Sequence, residues 1–186
     1  MGTVTAIDLS LLLLRVIVGL VFLAHGWNHL FGGGRIEGTG RWFESLGMRP
    51  GILHAWFASL TELGAGCLLV VGLATPVAAA GIVGTMLVAW ITNHLRNGFF
   101  IFRPGEGYEY VMTLTFAGVA LGGVGAGQWS LDHALGWFDP PGWVGLLIVL
   151  VAGVGGAATL LGTFWRPGRG PGEVEAGSGE AISAQS

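Results

Sequence analysis

The chain has 186 residues, eight arginines, no lysine and 11 acidic residues, for a formal net charge of -3. That charge offers no basic field for nucleic acid. With 52% hydrophobic and only 10% charged residues, too few polar side chains remain to solvate a water-soluble core of this size, and burial in a bilayer resolves the imbalance.

Five apolar stretches, each near the ~20 residues needed to cross a hydrocarbon core, predict an all-α polytopic transmembrane bundle. The first runs about Leu9 to Phe31 and contains Arg15; it has no basic leader and no small-residue cleavage site, so it reads as a retained helix. Arg35, Arg41 and Arg49 follow in a long connection, whose Arg41 to Gly47 segment alternates aromatic and charged residues and suits a short interfacial helix. The second stretch, about Ile52 to Leu73, carries Glu62 and turns tightly at Ala74 and Thr75 into the third, about Pro76 to Leu95, with Pro76 in a first turn where its missing N–H does no harm. Arg96 and Arg103 separate it from the fourth, about Tyr108 to Gly125. The next loop holds Asp132 and Asp139 but no arginine, and the fifth stretch runs about Trp143 to Trp165. Residues 166–186, including Arg166 and Arg169, are rich in Gly, Pro, Ser and Glu and predict a flexible cytoplasmic tail beyond a transmembrane domain of residues 1–165.

Arginine therefore alternates with its absence from one connection to the next. The positive-inside rule places the N-terminus outside and the C-terminus in the cytoplasm. Small residues four apart, such as Gly118 with Gly122 and Gly153 with Ala157, allow close helix approach, either within one bundle or across a homo-oligomer seam.

Ionisable groups inside such helices are expensive and normally face a partner, a cavity or a pathway. Arg15 and Glu62, with depths differing by roughly 7 Å when counted from the ends of their stretches, are expected to form a buried pair. His25 and His29 lie one turn apart on one face. His54 begins the second helix, Asn93 and His94 end the third, and Glu109 with Tyr110 begins the fourth, so all gather near the cytoplasmic boundary. Three chemistries fit the cluster. Imidazoles with a carboxylate could hold a transition metal, although the full zincin pattern is absent and no metal is assigned. A quinone site needs an apolar slot, aromatic walls and a His or Glu that exchanges protons. Alternatively, the histidines are hydrated interfacial groups without chemistry. Cys67 is the sole cysteine, so the chain has no dithiol, and neither covalent haem attachment nor a dinucleotide fingerprint is present.

Leu14-Arg15 with Gly19, His25-Gly26 followed by Asn28-His29-Leu30, Glu62 followed by Gly64 and Gly66, and the later His94, Asn97-Gly98-Phe99-Phe100 and Glu109-Tyr110 resemble the DoxX family of small bacterial membrane proteins over residues 10 to 125. The resemblance implies a four-helix core, here with a fifth C-terminal helix. It also implies a place in the bacterial inner membrane and association with redox systems: thiosulfate:quinone oxidoreduction in some members, and complexes with superoxide dismutase and a sulfurtransferase in others. By matching position, Arg15, His25, Glu62, His94 and Glu109 are the family's polar residues. His29 departs by standing where many relatives carry lysine. The expected roles are proton exchange at His25 and Glu109, headgroup contacts from His94 with Asn93, and quinone-site walls that include His29 and Tyr110. A non-enzymatic scaffold for soluble stress-response enzymes and a small proton-coupled transporter are the alternatives.

Overall fold

The structure, a computed structural model, describes residues 2–138, 140 and 142–168; Asp139 and the tail from Arg169 onward lie outside the described residues. Helix α1 (Gly2–Phe31) is followed by the short α2 (Arg35–Ser45), then α3 (Gly51–Val71), α4 (Thr75–Asn97), α5 (Glu109–Val124), the single-turn α6 (Leu131–Leu135) and α7 (Gly142–Phe164). The described residues contain no strand, only an isolated bridge between Met48 and Trp165. Four helices, α3, α4, α7 and the Ala6–Phe31 part of α1, are long and apolar enough to span a membrane, while α5 is a shorter apolar helix. The chain is thus an all-α multi-pass membrane protein. Its outer surface agrees with that solvent: Leu13, Ile17, Leu20, Leu150 and Val151 are exposed, which lipid tolerates and water does not.

Helix ends follow local chemistry. Pro50 precedes the first turn of α3, and Gly72 ends that helix in the left-handed conformation, where a glycine carries no Cβ penalty. Pro76 sits in the first turn of α4. The backbone N–H groups of Ala74 and Thr75, left over at that helix start, donate to the Asp132 carboxylate at 2.8 and 3.2 Å. Asp132 therefore fastens the α5–α7 connection onto the α3–α4 turn.

Packing relies on small residues at the crossings. A Cβ on Gly19 of α1 would lie 2.8 Å from the Gly66 carbonyl oxygen of α3, and one on Gly66 equally close to the Gly19 oxygen, so only glycine permits this approach. Gly118 and Gly122 face α4 and α7 inside the same bundle. The central core gathers Val18, Phe22, Leu69, Ile82, Leu121 and Val149. A second cluster, Phe43, Met48 and Ala55, packs against Leu160, Leu161 and Trp165. There the Trp165 indole donates to the Leu46 carbonyl at 3.0 Å and the Arg166 N–H to the Gly47 carbonyl at 2.8 Å, so the end of α7 is tied to the α2–α3 connection and Arg166 still belongs to the bundle.

Candidate functional site

Helices α1 and α3 run antiparallel, and their close contacts fix the register. Gly19 lies against Gly66 and Val70, Gly26 against Ser59 and Glu62, and the Arg15 guanidinium against Gly72. Glu62 is thereby level with the histidine turn of α1. Arg15 sits opposite a point ten residues further along α3, roughly 15 Å away along the helix axis.

The expected Arg15 to Glu62 pair is accordingly not formed. Fully buried, Arg15 donates to the Leu69 carbonyl at 2.9 Å and the Trp129 carbonyl at 2.7 Å, with Asp132 supplying the neighbouring negative charge. Counting depth from the ends of the apolar stretches misplaced it, because α1 begins at Gly2, before its apolar run. Glu62 instead faces His29, whose Nε2 lies 3.3 Å from Oε2. The approach is close enough for an ion pair but not aligned as a hydrogen bond, so Oε2 keeps free lone pairs in a site only 4% exposed. The His29 backbone carbonyl accepts from the Thr39 hydroxyl at 2.9 Å, and its ring lies over Trp42 and Phe43, which places α2 as a side wall.

These groups border a mainly apolar cavity of about 460 Å³, within the ~300–1,000 Å³ common for small-molecule sites. His25, with its ring centroid 6.3 Å from that of Tyr110, lines it from α1 and α5. His54 lines it from α3, and Ala152, Gly156 and Leu160 bring α7 into the wall. Among the described residues no three His, Cys, Asp or Glu side chains converge closely enough to hold a metal ion. The imidazoles are distributed around a space rather than focused on a point.

Two expected site residues have other local partners. His94 also borders the cavity, but its Nδ1 faces the Glu106 carbonyl at 2.9 Å and its Nε2 faces the Asn93 amide nitrogen at 3.2 Å. A carbonyl only accepts, so Nδ1 carries the proton and Nε2 accepts from Asn93. Both ring nitrogens are spent on the polypeptide. A π-helical turn at Trp90–His94 presents this imidazole to the loop between α4 and α5, where Asn97 adds a bond to the Glu106 carbonyl at 3.1 Å. Glu109 does not border the cavity: its Oε1 accepts from the Ile101 N–H at 2.9 Å and holds the same loop. The loop tether meets the cavity through Asn93, His94 and Glu106, whereas Arg15 does not border it.

Residues 10–95 match the DoxX family model. That segment runs from within α1 through the π-turn of α4 and contains Arg15, His25, His29, His54, Glu62, Asn93 and His94. The chain belongs to the DoxX family. A protein of Bacillus subtilis (strain 168) named "Putative oxidoreductase CatD" is 34% identical over 116 residues, 62% of this chain and 81% of the relative. The "Uncharacterized membrane protein Rv3486" of Mycobacterium tuberculosis (strain ATCC 25618 / H37Rv) is 30% identical over 134 residues, 68% of this chain and 81% of that protein. No solved structure matches. Tyr110 and the α7 wall of the cavity fall outside the family match.

His54, in the first turn of α3, is a site residue that the sequence pattern does not single out from the boundary histidines. Its spacing carried a signal nonetheless. It stands eight residues before Glu62, on the stripe that passes through Ala58, and this face of α3 borders the cavity.

Proposed function

We propose that this DoxX-family protein is a membrane redox component that helps couple a partner's electron or sulfur chemistry to the quinone pool, with the cavity receiving the quinone headgroup. The observation that carries this reading is the His29–Glu62 pair, 3.3 Å apart, with Glu62 buried and His29 half-buried on the wall of an apolar cavity with aromatic sides. A bound quinone supplies two-electron, two-proton redox chemistry. The protein's own part is to hold apolar walls around the ring and a proton-exchanging group at its edge. Glu62 Oε2, with free lone pairs, exchanges a proton beside His29 Nε2, and His25 next to Tyr110 offers a second exchanging imidazole. His94 and Glu109 hold the loop that closes one end of the site.

Electrons come from a partner. Cys67 is the single cysteine, so this chain has no dithiol of its own, and the donors that the family resemblance offers are a thiosulfate-oxidising subunit, a sulfurtransferase or an oxidative-stress enzyme such as superoxide dismutase. The oxidoreductase name of the Bacillus subtilis relative supports a redox role. Arg35, Arg41, Arg49, Arg96, Arg103 and Arg166 all lie on connections at one end of the bundle, which supports an inner-membrane orientation with the N-terminus outside and that end in the cytoplasm.

The test is quinone-linked turnover of the complex reconstituted in liposomes with Glu62→Gln. Loss of its proton transfer should lower turnover by roughly 100-fold, while insertion and partner binding persist. Unchanged turnover with an intact partner complex would favour a scaffold; proton-driven solute flux in the same liposomes would favour a transporter.

A further inference from the structure

The cavity contains one buried polar side chain that the proton chemistry above does not use. His54 is 2% exposed, and neither Nδ1 nor Nε2 has a hydrogen-bond partner. The Arg49 backbone approaches one ring nitrogen without reaching aligned hydrogen-bond geometry, which leaves the other nitrogen with no polypeptide partner. A neutral imidazole carries one donor and one acceptor, and buried polar groups are normally satisfied. Packing holds the ring in place: Phe164 meets it edge-on with centroids 5.1 Å apart, and Phe43 lies at 6.3 Å. An ordered ring with an unpartnered nitrogen on a cavity wall is built to meet something that enters the cavity.

Its position relative to Glu62 narrows what that is. Eight residues of helix separate the two on one face of α3, an axial distance of roughly 12 Å. The lining shared with these polar poles is mainly apolar or small, with Phe57 and Ala58 on α3, Gly81 and Gly84 on α4 and Gly156 on α7, and Thr61 and Thr85 add hydroxyls. A Cβ added at Gly156 would meet nothing within 4 Å, so this side is open. A para-quinone carries two carbonyl oxygens at opposite ends of one flat ring, and with a hydrogen bond at each end the assembly spans roughly 11 Å. The backbone rise between the two residues is of the same size as the doubly bonded ring, so one flat headgroup can reach from one to the other.

We propose that His54 is a second headgroup anchor, binding the carbonyl opposite the one that faces the Glu62–His29 pair. This rests on the quinone reading of the cavity and adds a residue and a ligand orientation to it. An imidazole suits both ends of the redox cycle. It donates an N–H to a carbonyl oxygen and, through its other tautomer, accepts from the hydroxyl of the reduced ring.

The experiment is titration of the purified full-length protein in lipid nanodiscs with decylubiquinone, read by quenching of tryptophan fluorescence, since Trp42 borders the cavity. Melting temperatures of the ligand-free variants are measured alongside. His54→Phe should bind about tenfold more weakly, the scale of one lost hydrogen bond. Its melting temperature should equal or exceed that of the wild type, because an unpaired buried polar group has been replaced by an apolar ring. His54→Asn, which keeps a donor and an acceptor, should fall between the two in affinity. Unchanged binding in His54→Phe would assign the imidazole to cavity water, and a lower melting temperature would assign it a structural partner; either overturns the proposal. Glu62→Gln in the same titration separates the two levels. Weakened binding there with His54→Phe unchanged removes only the second anchor, whereas no binding by the wild type removes the quinone reading as well.

Discussion

The His29 imidazole and the Glu62 carboxylate face each other at 3.3 Å across the antiparallel contact of α1 and α3, with Gly26 packed beside them against Glu62. A glycine at that point lets the two backbones approach, so that short side chains can meet. Removing His29 alone leaves a buried carboxylate without its partner. His29→Ala should therefore destabilise the protein in mild detergent by ~1–3 kcal/mol, and the His29→Ala/Glu62→Gln double variant should be closer to wild type than the sum of the single losses. Thermal unfolding of the four proteins checks the coupling; strictly additive losses would show that the two groups do not interact.

Arg15 is tied to the bundle by carbonyls rather than by a carboxylate partner in direct contact. Its bonds to the Leu69 and Trp129 oxygens join α1, α3 and the loop after α5. Arg15→Met should cost ~1–3 kcal/mol by removing both bonds, the Trp129 carbonyl losing its donor while the Leu69 carbonyl keeps the Gly72 N–H at 3.1 Å. It should also make the loop around Trp129 more sensitive to limited proteolysis, while Arg15→Met and Glu62→Gln effects add. Strong coupling between those two substitutions would restore a direct pair.

His94 and Glu109 are holders of the α4–α5 loop. His94→Ala and Glu109→Ala should each accelerate proteolytic cleavage at Arg103, because the Glu106 carbonyl is left with Asn97 alone in the first and the Ile101 N–H loses its side-chain partner in the second. Decylubiquinone affinity should change by less than about threefold in Glu109→Ala, since this side chain does not border the cavity. A tenfold loss of affinity with an unchanged cleavage rate would move Glu109 back to the ligand.

Reporter fusions placed after Thr75 and after Ser186 should report opposite sides of the membrane, Thr75 outside and Ser186 in the cytoplasm, as the arginine distribution requires. Both reporters on one side would remove the orientation and the cytoplasmic placement of the cavity's arginine-rich end.

Helices and family were legible because they depend on properties local to the chain: apolar runs of spanning length, prolines and glycines at their ends, and a series of short motifs beginning at Leu14-Arg15. The shared face of His25 and His29 was equally readable from the helical repeat. Partners were not. Arg15 and Glu62 were matched by depth, but depth along a bundle depends on lateral register, which the Gly19 to Gly66 contact sets and the ends of apolar stretches do not reveal. His94 and Glu109 flank the α4–α5 connection as the apolar runs suggest, yet both bind backbone groups of a loop whose path no periodicity encodes. Asp132 capping the start of α4 is hidden for the same reason, since its two bonds cross from a connection that carries no helix signal of its own to another turn.

The central claim is that the cavity beside Glu62 and His29 holds a quinone. Quinone extracted from the wild-type protein and from Glu62→Ala, each purified folded from bacterial membranes in mild detergent, is to be compared with the quinone-to-lipid ratio of the bulk membrane. The prediction is clear enrichment in the wild type and a return toward the bulk ratio in Glu62→Ala. A wild-type ratio equal to that of the membrane would contradict it.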